Sequence, residues 1–145
     1  MTGSDGNPKP GDVRRFGPPP SLDEIEELAH RIFAALPQAF IARCQGLAIR
    51  VLDFADDETL SEMGIESPFE LAGLYRGAPL TARGVADVTQ HLDMVFLYRR
   101  ALLDWWSEDG MDFEDLVRHV LIHEIGHHFG FSDADMERIE TDPQT

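Results

Sequence analysis

The stretch from residue 119 to residue 136, HVLIHEIGHHFGFSDADM, decides how the rest of the chain is interpreted. Four of the six histidines of the chain lie within its first ten residues. The apolar residues recur at helical spacing up to Phe129, and Gly130 then supplies the residue type that commonly ends a helix in the left-handed conformation. We therefore predict a helix that is capped by Asp112 and ends at Phe129.

The position of Glu124 on this helix is unusual. With about 100° per residue, Glu124 lies roughly 100° from His123, in the middle of the arc formed by the apolar residues Phe113, Leu116, Val117, Val120 and Leu121. A carboxylate without a partner in such a place costs several kcal/mol. A divalent cation, or a water molecule held by one, would offset that cost.

The spacing of the polar residues indicates a metal centre. His123 and His127 are one turn apart on one helix face, and the string continues as H-E-x-x-H-x-x-G-x-x-D to Asp133. We predict that His123, His127 and Asp133 hold Zn²⁺ with an open fourth position, and that Glu124 is the general base. Asp133 could instead be the acidic cap of a following helix. An ordinary surface helix would explain neither Glu124 nor Gly126, since glycine inside a helix costs about 1 kcal/mol relative to alanine.

The remaining segments predict a single domain over residues 21–140, between a disordered or extended leader at 1–20 and a tail at 141–145. Ser21 and Glu24 form a capping box for a first helix, whose apolar periodicity continues to Leu36. Three further segments predict strands or turns, and a fourth predicts a short helix: GLAIRVLDF (46–54), LAGLYRGAPL (71–80), DMVFLYRR (93–100), and residues 99–107. The acidic run from Asp53 to Glu70 predicts a solvated loop or an irregular helix.

Composition restricts the partners and the compartment. With 12 basic and 27 acidic residues the net charge is −15, which opposes binding to nucleic acid or to an anionic membrane surface. Cys44 is the single cysteine, so no disulfide can form within the chain. The sequence shows neither a signal peptide nor an apolar run of membrane-spanning length. We expect a cytoplasmic protein.

The segments LAGLYRGAPLT, FLYRRALL and RHVLIHEIGHHFG, in that order, resemble the small bacterial zincin-like metallopeptidases, the minimal zincin family, and the resemblance covers roughly residues 21–140. It implies an α+β fold in which a small mixed sheet packs on the active-site helix. It also implies zinc bound by His123, His127 and Asp133, with Glu124 as general base. It brings no defined substrate with it.

Several other side chains near the motif have less specific expected roles. We expect His119 to support a ligand or to pack rather than to bind the ion, and His128 to be favoured by the helix dipole. Met136 is expected in the core. Tyr75 and Tyr98 are expected to be core residues rather than oxyanion donors, and Arg99 and Arg100 to pair with acidic residues.

The predicted activity is hydrolysis of peptide bonds in a peptide or protein substrate. The strand at 93–100 is expected to be the sheet edge that pairs with an extended peptide. Because few residues follow Asp133, we expect a shallow site that a homodimer or another partner completes. Two other classes stay open: a metal-dependent endoribonuclease, which uses a related H-x3-H-x5-H string, and a zinc-binding adaptor or regulator without turnover. Glu124 and the net charge of −15 argue against the ribonuclease.

Overall fold

The computed structural model describes residues 18–44, 46–77 and 93–140, apart from the side chains of Asp133 and Ile139. Within these ranges the elements follow in the order α1 (Leu22–Ala34), α2 (Gln38–Ala42), β1 (Ala48–Leu52), α3 (Asp57–Met63), a short 3-10 helix (Pro68–Glu70), β2 (Gly73–Arg76), β3 (Met94–Tyr98), α4 (Arg99–Asp109), α5 (Phe113–Phe129) and α6 (Asp133–Glu140). Most of the predicted leader and the predicted tail lie outside the described residues, so these domain boundaries stay predictions.

The three described strands form one mixed sheet in the order β1-β3-β2. β1 runs parallel to β3, with Ile49 opposite Val95, and β2 runs antiparallel to β3, with Leu74 opposite Phe96. The strand predicted at 93–100 therefore exists, but the prediction that it is an edge is wrong, because β3 lies between the other two. Among the described strands β2, not β3, is the end strand next to α5.

The first helix follows the predicted capping box. The Ser21 hydroxyl accepts from the backbone N–H of Glu24, and the Glu24 carboxylate accepts from the backbone N–H of Ser21. The helix ends at Ala34, two residues before the predicted end, and α2 begins directly after Pro37. Proline is compatible with the start of a helix but not with its interior, so Pro37 both follows the end of α1 and precedes the first residue of α2.

Helices α1 and α5 bury the same side of the sheet. Ile25 and Ile32 of α1 join Leu121 and Ile125 of α5 in one apolar cluster with Val95 of β3. α5 contacts β2, β3 and α1, so the histidine-bearing helix is held along most of its length. The predicted α+β fold, with a small mixed sheet packed against α5, is confirmed.

The acidic run, where a solvated loop or an irregular helix was expected, forms the regular helix α3, and a second apolar cluster lies beneath it. Leu60 of α3 packs there with Leu71, Leu74, and Tyr98. Asp56 caps this regular helix by accepting from the N–H of Thr59. None of the described helices combines the length and the apolar character needed to cross a membrane.

Candidate metal centre

Helix α5 places the motif in its last two turns. The helix begins where the Asp112 carboxylate accepts from the backbone N–H of Asp115, and it ends at Gly130, whose φ of 73° is in the left-handed region. His123 and Glu124 have side chains 32% and 14% exposed, whereas His127 is 57% exposed. The predicted burial of the glutamate and the predicted helix end are both confirmed.

Glu124 is held in place by two polar contacts. Its Oε1 lies 3.2 Å from Nδ1 of His127, and its carboxylate accepts from the backbone N–H of Tyr75 in β2. Burial raises the pKa of Glu124 above its ordinary value, and the effect is opposed by His127 and by the two hydrogen bonds. A carboxyl group with a raised pKa is better matched to accepting and releasing a proton near neutral pH.

Strand β2 comes unusually close to Glu124. A Cβ added to Gly73 would lie 2.6 Å from Cγ1 of Val120 and 3.1 Å from Cγ of Glu124. Only glycine leaves room for this approach, so the strand backbone and the glutamate side chain are in direct contact. This contact explains how Tyr75, two residues further along β2, reaches the carboxylate.

The chain after α5 turns back onto the same helix. The backbone N–H of Phe131 donates to the carbonyl of Gly126 at 2.9 Å, and a Cβ at Gly126 would collide with Sδ of Met136. This close packing accounts for a glycine inside the helix, and the expected core position of Met136, which is 2% exposed, is confirmed. Gly126 is therefore the point where α6 packs against α5.

Asp133 is the first residue of α6, and its side chain lies outside the described residues. Its role as third ligand therefore stays a prediction. The cap of α6 is Ser132, whose hydroxyl accepts from the backbone N–H of Asp135 at 3.2 Å. Ser132 therefore occupies the N-cap position, and both interpretations of the Asp133 side chain, as a metal ligand and as an acidic residue at the helix start, stay predictions.

Among the described side chains, three residues bring potential metal-ligand atoms within 4.8 Å of one another: His119, His123 and Glu140. His119 Nδ1 lies 2.9 Å from Oε2 of Glu140, and His123 Nε2 lies 4.0 Å from Oε1. Sequence reasoning missed Glu140, because nothing in the spacing of α6 shows which of its acidic residues faces α5. The sequence signal that could have indicated packing of α6 on α5 is the glycine at 126, which leaves room for Met136.

His128 lies in a buried polar cluster instead of serving only as a charge at the helix end. It is 2% exposed, and its Nδ1 lies 3.4 Å from Oδ2 of Asp93 and 3.2 Å from the Tyr75 hydroxyl. The Tyr75 hydroxyl donates to Oδ1 of Asp93 at 3.1 Å. Asp93 was not singled out from the sequence, because an acidic residue just before a strand usually stays in solvent.

The other polar candidates are used structurally. Tyr98 is 3% exposed and belongs to the core, as expected. Arg99 pairs with Asp53 at 3.2 Å and donates to the carbonyl of Pro20. Arg100 lies over the ring of Phe54. The expected pairing with an acidic residue is therefore confirmed for Arg99.

A groove of about 420 Å³ opens beside the motif. One wall is the segment from Phe69 to Gly73, and the opposite wall comes from α4 and α5. Both His123 and Glu124 line it, as do the acidic residues Glu70, Asp104 and Glu108. The groove therefore brings solvent, and any extended ligand, to the general-base candidate.

Comparison with known proteins agrees with this geometry. No curated protein matches the chain. The family model described as zincin-like metallopeptidase matches residues 44–142, which is more than half of the chain and includes the three described strands, α5 and α6. On this match the chain belongs to the zincin-like metallopeptidase family.

Proposed function

We propose that the protein is a zinc peptidase in which His123, His127 and Asp133 hold the ion and Glu124 is the general base. The observation that carries the proposal is the environment of Glu124. Its carboxylate is mostly buried, is hydrogen-bonded to β2 and to His127, and still lines the groove. A buried acid that faces a groove beside two histidines is the arrangement that general-base hydrolysis needs.

The donor chemistry fits zinc. Imidazole nitrogens one turn apart on α5, together with a carboxylate from the first turn of α6, are ligand types that zinc accepts. Because Ser132 provides the cap of α6, the Asp133 carboxylate is not needed for that purpose. When zinc is bound, it supplies Lewis acidity toward a carbonyl oxygen and lowers the pKa of a coordinated water.

The residues of the chain then divide the remaining tasks. Glu124 takes a proton from the attacking water and later delivers it to the leaving amine. The Tyr75 backbone N–H fixes the orientation of the carboxylate, and His127 lies on its other side. Because the Glu124 side chain is only 14% exposed, few bulk water molecules can hydrogen-bond to its carboxylate in place of the attacking water.

We place the substrate peptide in the groove between the Phe69–Gly73 segment and α4. This position replaces the predicted pairing with β3, which is the middle strand. An extended peptide here would pass beside β2 and over Glu124. We also propose that a second subunit or another protein closes the open side of this groove.

The acidic lining of the groove disfavours the ribonuclease alternative. Glu70, Asp104 and Glu108 line the groove that an RNA phosphate would have to enter. Three carboxylates would repel it, and the net charge of −15 adds to that repulsion. The adaptor alternative predicts zinc binding without cleavage, and the experiment below tests it directly.

The test is the Glu124→Gln variant of the full chain, compared with Glu114→Gln, which removes a charge from the first turn of the same helix. We expect Glu124→Gln to lower cleavage of a proteome-derived peptide library by at least about 100-fold, the usual contribution of a general base. Its zinc content, measured by elemental mass spectrometry, should not change. Glu114→Gln should behave as wild type, and a chelator should abolish its cleavage.

Full activity in Glu124→Gln would contradict the assigned base. If the wild-type protein binds zinc stoichiometrically but cleaves no library peptide, the adaptor interpretation replaces the peptidase. Thermal unfolding monitored by circular dichroism shows whether each variant is folded before its activity is compared.

A further inference from the structure

His119, His123 and Glu140 form a cluster that the proposed peptidase centre does not use as a unit. His119 lies one turn before His123 on α5, and Glu140 is the last residue of α6. The Glu140 carboxylate contacts Nδ1 of His119 with both oxygens, at 2.9 and 3.1 Å, and its Oε1 lies 4.0 Å from Nε2 of His123. Two helices therefore bring three donor groups to one point.

The spacing of these atoms suits a small transition-metal ion. With zinc–nitrogen and zinc–oxygen bonds of about 2.0–2.1 Å, ligand atoms of a tetrahedral site are separated by about 3.4 Å. From the single atom Oε1 of Glu140, Nδ1 of His119 lies 3.1 Å away and Nε2 of His123 lies 4.0 Å away, on either side of that value, and the ligand atoms of all three residues lie within 4.8 Å of one another. Small side-chain rotations would bring the three donors onto one ion.

The surroundings give a cation access and attract it. The three side chains are 33%, 32% and 25% exposed, so an ion can enter and a water can complete its shell. His119 and His123 line the same groove as Asp104 and Glu108, whose negative charge raises the local cation concentration. The two imidazole rings are only 4.3 Å apart between centroids.

A simple His119–Glu140 ion pair explains part of this arrangement. Such a pair would link α5 to α6, but it needs neither His123 nor the convergence of a second imidazole on the same carboxylate. Partly exposed ion pairs are also worth little, typically 0–1 kcal/mol. The ion pair and a metal site differ in one measurable respect, which is whether the cluster binds zinc.

We propose that His119, His123 and Glu140 form a second cation site, suited to Zn²⁺ or another transition metal that accepts nitrogen and oxygen ligands. This site shares His123 with the proposed peptidase centre. Because a neutral imidazole has one acceptor nitrogen, His123 serves one ion at a time, and the two positions compete. That competition rests on the proposed function, whereas the second site itself does not.

The test examines the second site in a variant whose proposed peptidase centre has lost a ligand. His127→Ala takes one ligand from the proposed peptidase centre and leaves the cluster intact. We expect this variant, with zinc alone as the probe, to bind one equivalent in a titration against a chromogenic chelator. Adding Glu140→Gln or His119→Gln should then raise the zinc dissociation constant at least tenfold. Adding Glu137→Gln, which removes the same charge from the same helix, should leave it unchanged.

The outcomes separate this site from the peptidase centre. If His127→Ala binds no zinc although circular dichroism shows it folded, the second site does not exist, and the proposed function is unaffected. Equal effects of Glu140→Gln and Glu137→Gln in that background would also overturn it. If zinc binding to the otherwise wild-type chain survives both His127→Ala and Asp133→Asn but is lost in Glu140→Gln, the cluster is the metal site and the proposed ligand set is wrong.

Discussion

His127 and His128 are neighbours in the sequence, yet their environments are opposite. His127 is 57% exposed and faces Glu124, whereas His128 is 2% exposed and faces Asp93 and Tyr75. The step of about 100° between consecutive helical residues is enough to direct one imidazole to the surface beside the groove and the other to the interior. The same residue type thus serves proposed chemistry on one face and fold stability on the other.

The two faces of α5 are connected through β2. Tyr75 uses its backbone N–H to bind Glu124 on the groove side and its hydroxyl to bind Asp93 on the buried side. One strand residue therefore links the general-base candidate to the buried cluster. This link suggests that the buried polar groups hold the strand at the distance that Glu124 requires.

The largest expected effect is the difference in stability between two variants, His128→Ala and His127→Ala. His128→Ala removes one partner from a buried polar cluster, and such losses cost about 3–5 kcal/mol. His127→Ala should change stability by less than about 1 kcal/mol, because the side chain is mostly exposed. Urea unfolding of the metal-free protein measures both. Equal losses of stability in the two variants would remove the distinction between the faces.

A smaller effect is expected at Gly126, where α6 packs on α5. Gly126→Ala places a methyl group against Met136, and we expect a loss of about 1 kcal/mol, since overpacking of 1–3 kcal/mol exceeds the gain in helix propensity. In a Met136→Ala background the obstacle is absent, so the same substitution should stabilise by about 1 kcal/mol. Chemical unfolding of the four proteins in this cycle tests the reversal of sign. A gain in both backgrounds would show that the contact costs nothing.

Much of the groove-facing side of α5 could be predicted from the sequence. The spacing of His123, Glu124 and His127 depends only on helix geometry, and a glutamate among apolar residues requires an explanation whatever the fold. The glycines at 126 and 130 were likewise interpretable, because glycine inside a helix and glycine at its end each have a specific physical meaning.

The buried side could not be predicted in the same way. Asp93 and His128 are 35 positions apart, and their contact depends on how β3 packs against α5, which no local pattern encodes. The order of the strands is equally non-local, so β3 was expected at the edge although it lies in the middle. The meeting of Glu140 with His119 depends on the angle between two helices, which short-range periodicity does not determine.

The effect most distant from the motif concerns Cys44, which is 4% exposed and whose thiol pKa is raised in part by the charge of Asp93. Burial raises the pKa of the Cys44 thiol from 9.0 to about 11, with Arg43 opposing the shift and Asp93 adding to it. At pH 8 the folded protein should therefore react with iodoacetamide at least about 100-fold more slowly than the urea-unfolded chain. The folded state binds the thiol proton more tightly, so stability should fall as pH rises from about 9 to 11. Equal alkylation rates of folded and unfolded protein at pH 8 would place this cysteine in solvent, not beside the buried cluster.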